Sequence, residues 1–169
     1  MKDEKQAITL RPAVAADVPA INNIYNHYVL HSTCTYQDAP EPLEEREAWF
    51  ARRGPRQPVI VAVDAAGAVV GWGSLSAYHV RSAYRFTVEN SIYLRHDLRG
   101  QGIGRLLLAE LISLARSLGH HTIIAGIDAE QPVSVALHRR AGFEHVGRMK
   151  EVGFKFGRWL DVIYMQLVL

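Results

Sequence analysis

Between Glu89 and Gly119 the chain reads as a strand, a glycine-rich turn and a long amphipathic helix, and that succession constrains everything around it. Ser91-Ile92-Tyr93-Leu94 suits a strand, and Arg99-Gly100-Gln101-Gly102-Ile103-Gly104 suits the turn. Leu107, Leu108, Leu111, Ile112, Leu114, Ala115 and Leu118 follow at the three-and-four spacing of one buried helical face, and Gly119 is a stop. The glycines at 100, 102 and 104 remove side chains where the first amides of a helix lack partners. Such amides point outward and favour an anion, and Arg99 and Arg105 add positive charge. The physical reading is a cradle for a pyrophosphate. A plain strand-to-helix turn is the other reading of the same glycines. Their spacing fits neither the P-loop nor the dinucleotide fingerprint.

With 169 residues, 49% apolar and 21% charged, the chain predicts one domain over 1–169 with a sizeable core. A net charge of +2 without a lysine or arginine run gives no indication of nucleic-acid binding. One cysteine, Cys34, cannot form an internal disulfide, which agrees with a reducing cytoplasm. The opening MKDEKQ lacks the apolar run of a signal peptide, and no stretch reaches the length of a membrane span. No membrane partner is expected.

Residues 8–11 read as a strand closed by Pro12, and Asp17 as the cap of a helix whose apolar face is Ile21, Ile24, Tyr25, Tyr28 and Val29. His27 and His31 have a metal-ligand spacing but no third ligand nearby, so no metal is expected. Residues 31–42 form a loop, 43–53 a helix that is acidic at its start and basic at its end, and 59–63 and 69–75 a hairpin. The glycines either side of Trp72 point to a bulge or a close backbone approach. Residues 78–85 connect over the sheet, 122–127 form a covered strand, and 133–140 a helix. Strands at 144–152 and 160–169 follow, joined through 153–157. This β-α-α-β-β-β-α-β-α-β-β order predicts an α/β fold with a mixed, mostly antiparallel sheet flanked by helices. Trp49, Trp72 and Trp159 read as core or interface rather than a substrate cage.

Arg99, Gly102 and Gly104 fill the Arg/Gln-x-x-Gly-x-Gly/Ala pattern of the GCN5-related N-acetyltransferases (GNAT), which the whole element order also resembles. The resemblance implies acetyl-CoA as cosubstrate. It places Ile92, Tyr93 and Leu94 beside the pantetheine arm, and Arg99, Gly100, Gln101, Gly102, Ile103, Gly104 and Arg105 at the pyrophosphate. Ser134, Leu137 and His138 resemble the family's Asn-x-x-Ser-x-x-Leu-Tyr/His helix beside the CoA arm. Two departures stand out. Gln131 replaces the usual Asn, and His138 takes the place of the Tyr that protonates the leaving thiolate in many relatives. Imidazolium can donate that proton, but a CoA thiolate is stable enough to leave without it. Packing beside the CoA arm is the other reading of His138.

Glu89 stands at the head of the central strand in an apolar setting, where a carboxylate can serve as general base for an amine. A solvent-facing edge glutamate, or one paired with Arg85, is the alternative. Residues 81–94, with Arg81, Ala83, Tyr84, Thr87, Glu89 and Tyr93, resemble the phosphinothricin N-acetyltransferase branch, as does Gly157-Arg158-Trp159-Leu160-Asp161-Val162. That branch implies Glu89 as base, acting through water, Arg81 and secondarily Arg85 at the acid groups of a small amino-acid-like substrate, and Tyr84 among the substrate-binding residues; a surface charge is the other reading of each arginine. Thr33 and Tyr36 fall in its substrate loop. The expected function is acetylation of the α-amino group of an amino acid of the phosphinothricin or methionine sulfoximine type. Alternatives are acetylation of a protein N-terminus or another amine, a CoA-binding sensor without turnover, and a structural subunit. A homodimer is the expected assembly; the apolar end at 162–169 serves either an interface or a core strand.

Overall fold

The structure, a computed structural model, describes residues 7–169; MKDEKQ lies outside the described residues. Strand β1 (Thr9–Pro12) leads to helices α1 (Val18–His31) and α2 (Leu43–Ala51). Strands β2 (Val59–Val63), β3 (Val69–Ala77) and β4 (Thr87–Leu94) follow, then α3 (Ile103–Ser117) and β5 (Thr122–Asp128). Helix α4 (Pro132–Arg140) and strands β6 (Glu144–Lys155) and β7 (Arg158–Val168) complete the chain. The succession is the one read from the sequence. All seven strands form one sheet in the order β1-β2-β3-β4-β5-β7-β6.

Every neighbouring pair is antiparallel except β4 and β5, which run parallel through three residue pairs, Thr87 with Thr122, Val88 with Ile123 and Glu89 with Ile124. Beyond Glu89 the two strands part. β4 stays bonded to β3 as far as Leu94, and β5 stays bonded to β7 as far as Asp128. The facing edges therefore carry backbone groups without a ladder partner, and such groups need another source of hydrogen bonds.

The sheet is covered on both faces. Leu107, Leu108 and Leu111 of α3 are fully buried against Ile92 and Leu94 of β4. The alternate residue Tyr93 points to the other face, among Tyr28 of α1 and Trp72. Gly71 and Gly73 mark a close approach, as their sequence implies. A Cβ on Gly71 would stand 2.6 Å from Leu94 Cδ2, and one on Gly73 3.0 Å from Leu111 Cδ1.

Four local expectations change. Asp17 puts no side-chain bond on α1; its carboxylate turns back to accept from the Val14 amide and from Arg11. α2 ends at Ala51 without a basic last turn: Arg46 is buried mid-helix, and Arg53 reaches the Leu75 carbonyl and Ser76. β4 begins at Thr87 rather than Ser91, because its first residues pair with both β3 and β5. The β6–β7 connection is a tight turn at Phe156 and Gly157, both at positive φ (52° and 74°), as in a hairpin turn of the primed class. The expected turn residue Gly153 lies in β6, where a Cβ would run into the Tyr36 ring. No helix among the described residues is long and apolar enough to cross a membrane.

Candidate active site

The glycine turn has the conformation its composition demands. Gly100 (φ +80°) and Gly102 (φ +84°) are left-handed, and a Cβ at either would meet nothing within 4 Å. The glycines are there for the backbone, not for want of room. Gly102 caps α3, so the first amides of that helix open onto exposed surface beside Arg99, Gln101 and Arg105. Ile103 is buried in the core, so its side chain anchors the turn and only its amide is on offer. Tyr28 donates to the Leu94 carbonyl (2.6 Å) and accepts from Arg99 Nε (3.3 Å), tying α1 to the end of β4 and to the turn.

The parting of β4 and β5 runs towards this turn. Ile92 and Leu94 pack on α3, and Tyr93 stacks on Trp72 at 5.0 Å, so what β4 turns to the gap is backbone. Asn90, buried just past the last β4–β5 pair, donates from Nδ2 to His138 Nε2 (2.9 Å), while its Oδ1 has no partner among the described residues. His138 is 4% exposed and donates from Nδ1 to the Ser134 carbonyl (2.8 Å). Both ring nitrogens are thus engaged, and burial lowers the imidazole pKa. An elongated molecule with amide N–H groups and a diphosphate fits this gap and turn, since the Asn90 acceptor, the β4 edge and the α3 amides all await partners.

Glu89 stands where the strands begin to part. It is half-buried, and burial raises its pKa above the ordinary carboxylate range. Its Oε1 lies 3.3 Å from where a Cβ on Gly126 would be, so a side chain there would crowd the carboxylate. Tyr164, the register partner of Gly126, has its pKa raised by burial and then by the charges of Glu89 and Tyr78.

Thr33 and Tyr36 converge on one buried group that sequence reasoning passed over. Asp128 accepts from Thr33 Oγ1 (3.1 Å), Tyr36 Oη (2.8 Å) and the Glu130 amide (2.8 Å). Gln131 at the start of α4 reaches the same Thr33 hydroxyl at 3.4 Å. From the other side the buried Lys155 donates to the carbonyls of Ser32 and Thr35, each at 2.7 Å. The loop between α1 and α2 is therefore clamped by β5 and β6. Arg81, Tyr84 and Arg85 form a separate, exposed rim on the β3–β4 loop. Arg85 bonds the Ser82 carbonyl and lies over Phe86, not over Glu89. Tyr84 packs on His79 and Tyr78. Gly126 was the one legible signal among the missed residues, a glycine inside a strand. Asp128 and Lys155 carry no local pattern that marks them.

His27 stacks on His96 at 4.0 Å and stands 4.8 Å from His31. Among the described residues no group of three His, Cys, Asp or Glu side chains is arranged to hold a metal.

Known proteins match this arrangement closely. The family described as Acetyltransferase (GNAT) family matches residues 21–143. The chain belongs to the GNAT acetyltransferases. An L-methionine sulfoximine/L-methionine sulfone acetyltransferase of Pseudomonas paraeruginosa is 46% identical over 94% of this chain and 93% of its own. A phosphinothricin N-acetyltransferase of Alcaligenes faecalis is 39% identical over 95% of this chain and 82% of its own. The crystal structure of a GNAT superfamily phosphinothricin acetyltransferase from Sinorhizobium meliloti, in complex with acetyl-CoA, superposes with a TM-score of 0.93 at 47% identity. It covers 96% of this chain and 88% of its own. This GNAT chain is accordingly an N-acetyltransferase with the fold expected from its sequence.

Proposed function

We propose that this N-acetyltransferase, with acetyl-CoA as its cosubstrate, acetylates the α-amino group of a small amino acid of the methionine sulfoximine or phosphinothricin type, with Glu89 as general base. The observation that carries the reading is the position of Glu89: a carboxylate without a hydrogen-bond partner among the described residues, its pKa raised by burial, at the point where β4 and β5 separate. The relatives named above supply the substrate class.

Acetyl-CoA supplies the activated acyl group. The chain supplies the rest. The amides of Gly102–Arg105 and the side chains of Arg99, Gln101 and Arg105 hold the diphosphate, and the backbone of Ile92, Tyr93 and Leu94 with the Asn90 amide holds the arm. Gln131 and Ser134 border it at the start of α4. Glu89 takes the proton from the ammonium directly or through a water, and a carboxylate with a raised pKa suits an amine better than an ordinary one does. Backbone amides of β4 are placed to meet charge developing on the acyl oxygen. His138 keeps Asn90 in position through Nε2; with both ring nitrogens engaged, this is the role assigned to it. Thr33 and Tyr36 wall the acceptor side, and Arg81, Tyr84 and Arg85 offer guanidinium and hydroxyl groups to the substrate's acid groups.

A single domain over 1–169 carries the whole activity in this reading. The lone Cys34 supports a cytoplasmic setting. Exposed Met149, Val152, Phe154, Phe156 and Trp159 on the β6–β7 hairpin support a homodimer. Residues 162–169 support it less, since Met165 is buried and Ile163 and Leu167 pack on the core.

The test is thiol release from acetyl-CoA with a panel of L-amino acids. Glu89→Gln is expected to lower kcat by roughly 10²–10⁴-fold, while the thermal shift caused by CoA stays that of the wild type. Unchanged turnover removes Glu89 from the mechanism. No transfer to any amino acid, with transfer to an N-terminal peptide, moves the substrate to proteins.

A further inference from the structure

The sheet is bare at one point beside Glu89. Ala125 and Ile127 of β5 pack into the core on the α3 side, as do Val88 of β4 and Ile163 and Met165 of β7. Alternation along each strand therefore turns Glu89, Gly126 and Tyr164 to the opposite face, which also carries Asp128 with Thr33 and Tyr36. Gly126 is exposed there, although β5 is an interior strand between β4 and β7. A Cβ on it would stand 3.3 Å from Glu89 Oε1, and 3.4 and 3.9 Å from Cε1 and Cζ of Tyr164. A carboxylate and a phenol thus flank one open patch of backbone, the first from the β4 side and the second from the β7 side.

The phenol is free to take a ligand. Its hydroxyl, like the Glu89 carboxylate, has no hydrogen-bond partner among the described residues. Neither residue contributes to the unpartnered polar atoms sealed away from solvent, so both groups open onto the site. Burial, followed by the charges of Glu89 and of Tyr78 just past β3, raises the Tyr164 pKa, and the phenol stays neutral. A neutral phenol oxygen accepts a hydrogen bond as readily as it donates one. An ionised Glu89 across the patch draws a cation into it and repels an anion. The group that suits the space between the two is therefore the acceptor's amine and not its acid group.

We propose that the acceptor amine sits over Gly126 and that Tyr164 is a substrate-binding residue whose hydroxyl oxygen accepts one of its N–H bonds. An amine that has given one proton to Glu89 keeps two N–H bonds and one lone pair. Fixing one N–H on the β7 side leaves fewer orientations open to the lone pair, which has to face the acyl group in the gap between β4 and β5. Gly126 is a glycine because any side chain would fill the floor on which the amine rests. The inference rests on the reading that an α-amine is acetylated beside Glu89.

The experiment measures steady-state kinetics with L-methionine sulfoximine and acetyl-CoA varied in turn, in the wild type, Tyr164→Phe, Gly126→Ala and Glu89→Gln. Tyr164→Phe keeps the ring and loses only the hydroxyl. It is expected to lower kcat/KM for the amino acid about tenfold, with Tm and the KM for acetyl-CoA those of the wild type. The acid limb of its pH profile should also stay in place, since the hydroxyl serves the amine and not the base. Gly126→Ala is expected to raise the amino-acid KM several-fold, again with the acetyl-CoA KM unchanged. Wild-type kinetics in Tyr164→Phe, equal losses towards both substrates, or an acid limb that moves would each overturn the assignment of Tyr164. An unchanged amino-acid KM in Gly126→Ala would place the amine elsewhere. If Glu89→Gln loses turnover while the other two behave as wild type, the amine seat alone is wrong. If Glu89→Gln keeps full turnover, the base itself is misassigned and the seat falls with it.

Discussion

As the proposed base, Glu89 would be poised for chemistry at the expense of stability. The carboxylate has no hydrogen-bond partner among the described residues, and burial penalises its charged form. Below about pH 4 the group is protonated in both folded and unfolded chains, and the penalty vanishes. Above the raised folded-state pKa the charge must be carried half-buried, and the penalty is complete. Replacement by a neutral isostere should therefore stabilise the fold only on the alkaline side. Glu89→Gln is expected to raise Tm at about pH 8 and leave it unchanged at about pH 4, in parallel thermal melts. A variant less stable than the wild type at the higher pH would mean that the carboxylate makes a favourable contact there. The same raised pKa should move the acid limb of the wild-type rate profile above the ordinary carboxylate value of about 4.3. A glutamate at the head of a strand was legible as a candidate base. Its isolation from Arg85 was not, because the direction of an exposed loop arginine depends on tertiary placement that no local pattern encodes.

At the scale of elements, two devices build the site, and they differ in how plainly the sequence announces them. The turn before α3 is announced by its glycines, since left-handed backbone is hard for any other residue. Gly102→Ala puts a Cβ into open space, so its cost is purely conformational, about 1–2 kcal/mol. It should lower Tm by several degrees and raise the KM for acetyl-CoA. Gly104→Ala is the control: it lies inside the helix, where a Cβ would make ordinary contact with Leu137 and Leu94 at 3.5 and 3.7 Å. Little change in Tm is expected there, and equal losses in the two variants would remove the conformational argument. The second device, the clamp on residues 32–36, is silent in the sequence because Asp128 and Lys155 lie far along the chain from what they hold. Asp128→Asn keeps the shape of the side chain but gives it only one acceptor oxygen for the hydroxyls of Thr33 and Tyr36. The acceptor KM should rise several-fold while the KM for acetyl-CoA holds, in steady-state kinetics with each substrate varied in turn. Equal changes in both would make Asp128 a general stability element instead of a wall support.

For the whole molecule, element order was legible because each strand and helix has its own hydrophobic period, and short connections leave few ways to assemble them. The parting of β4 from β5 was not, because it is a failure of pairing between strands that each look regular. Assembly lies further still from local pattern. Phe154, Phe156 and Trp159 are 54%, 55% and 62% exposed, and the rings of Phe154 and Trp159 pack on each other 5.0 Å apart at the outer edge of the sheet. On a monomer, a charge in place of Trp159 would touch only water and the neighbouring ring, and its effect on stability would be within about 0.5 kcal/mol. In an interface the same change desolvates a charge against apolar surface, and loss of a central aromatic costs association about 2 kcal/mol or more. Trp159→Glu should therefore shift sedimentation from dimer towards monomer at micromolar concentration, with the Tm becoming less dependent on protein concentration. The same hairpin carries Lys155, which holds Ser32 and Thr35, so monomerisation is expected to raise the acceptor KM as well. A wild type that sediments as a monomer at every concentration would sink the assembly and leave the acetyltransferase site as it stands.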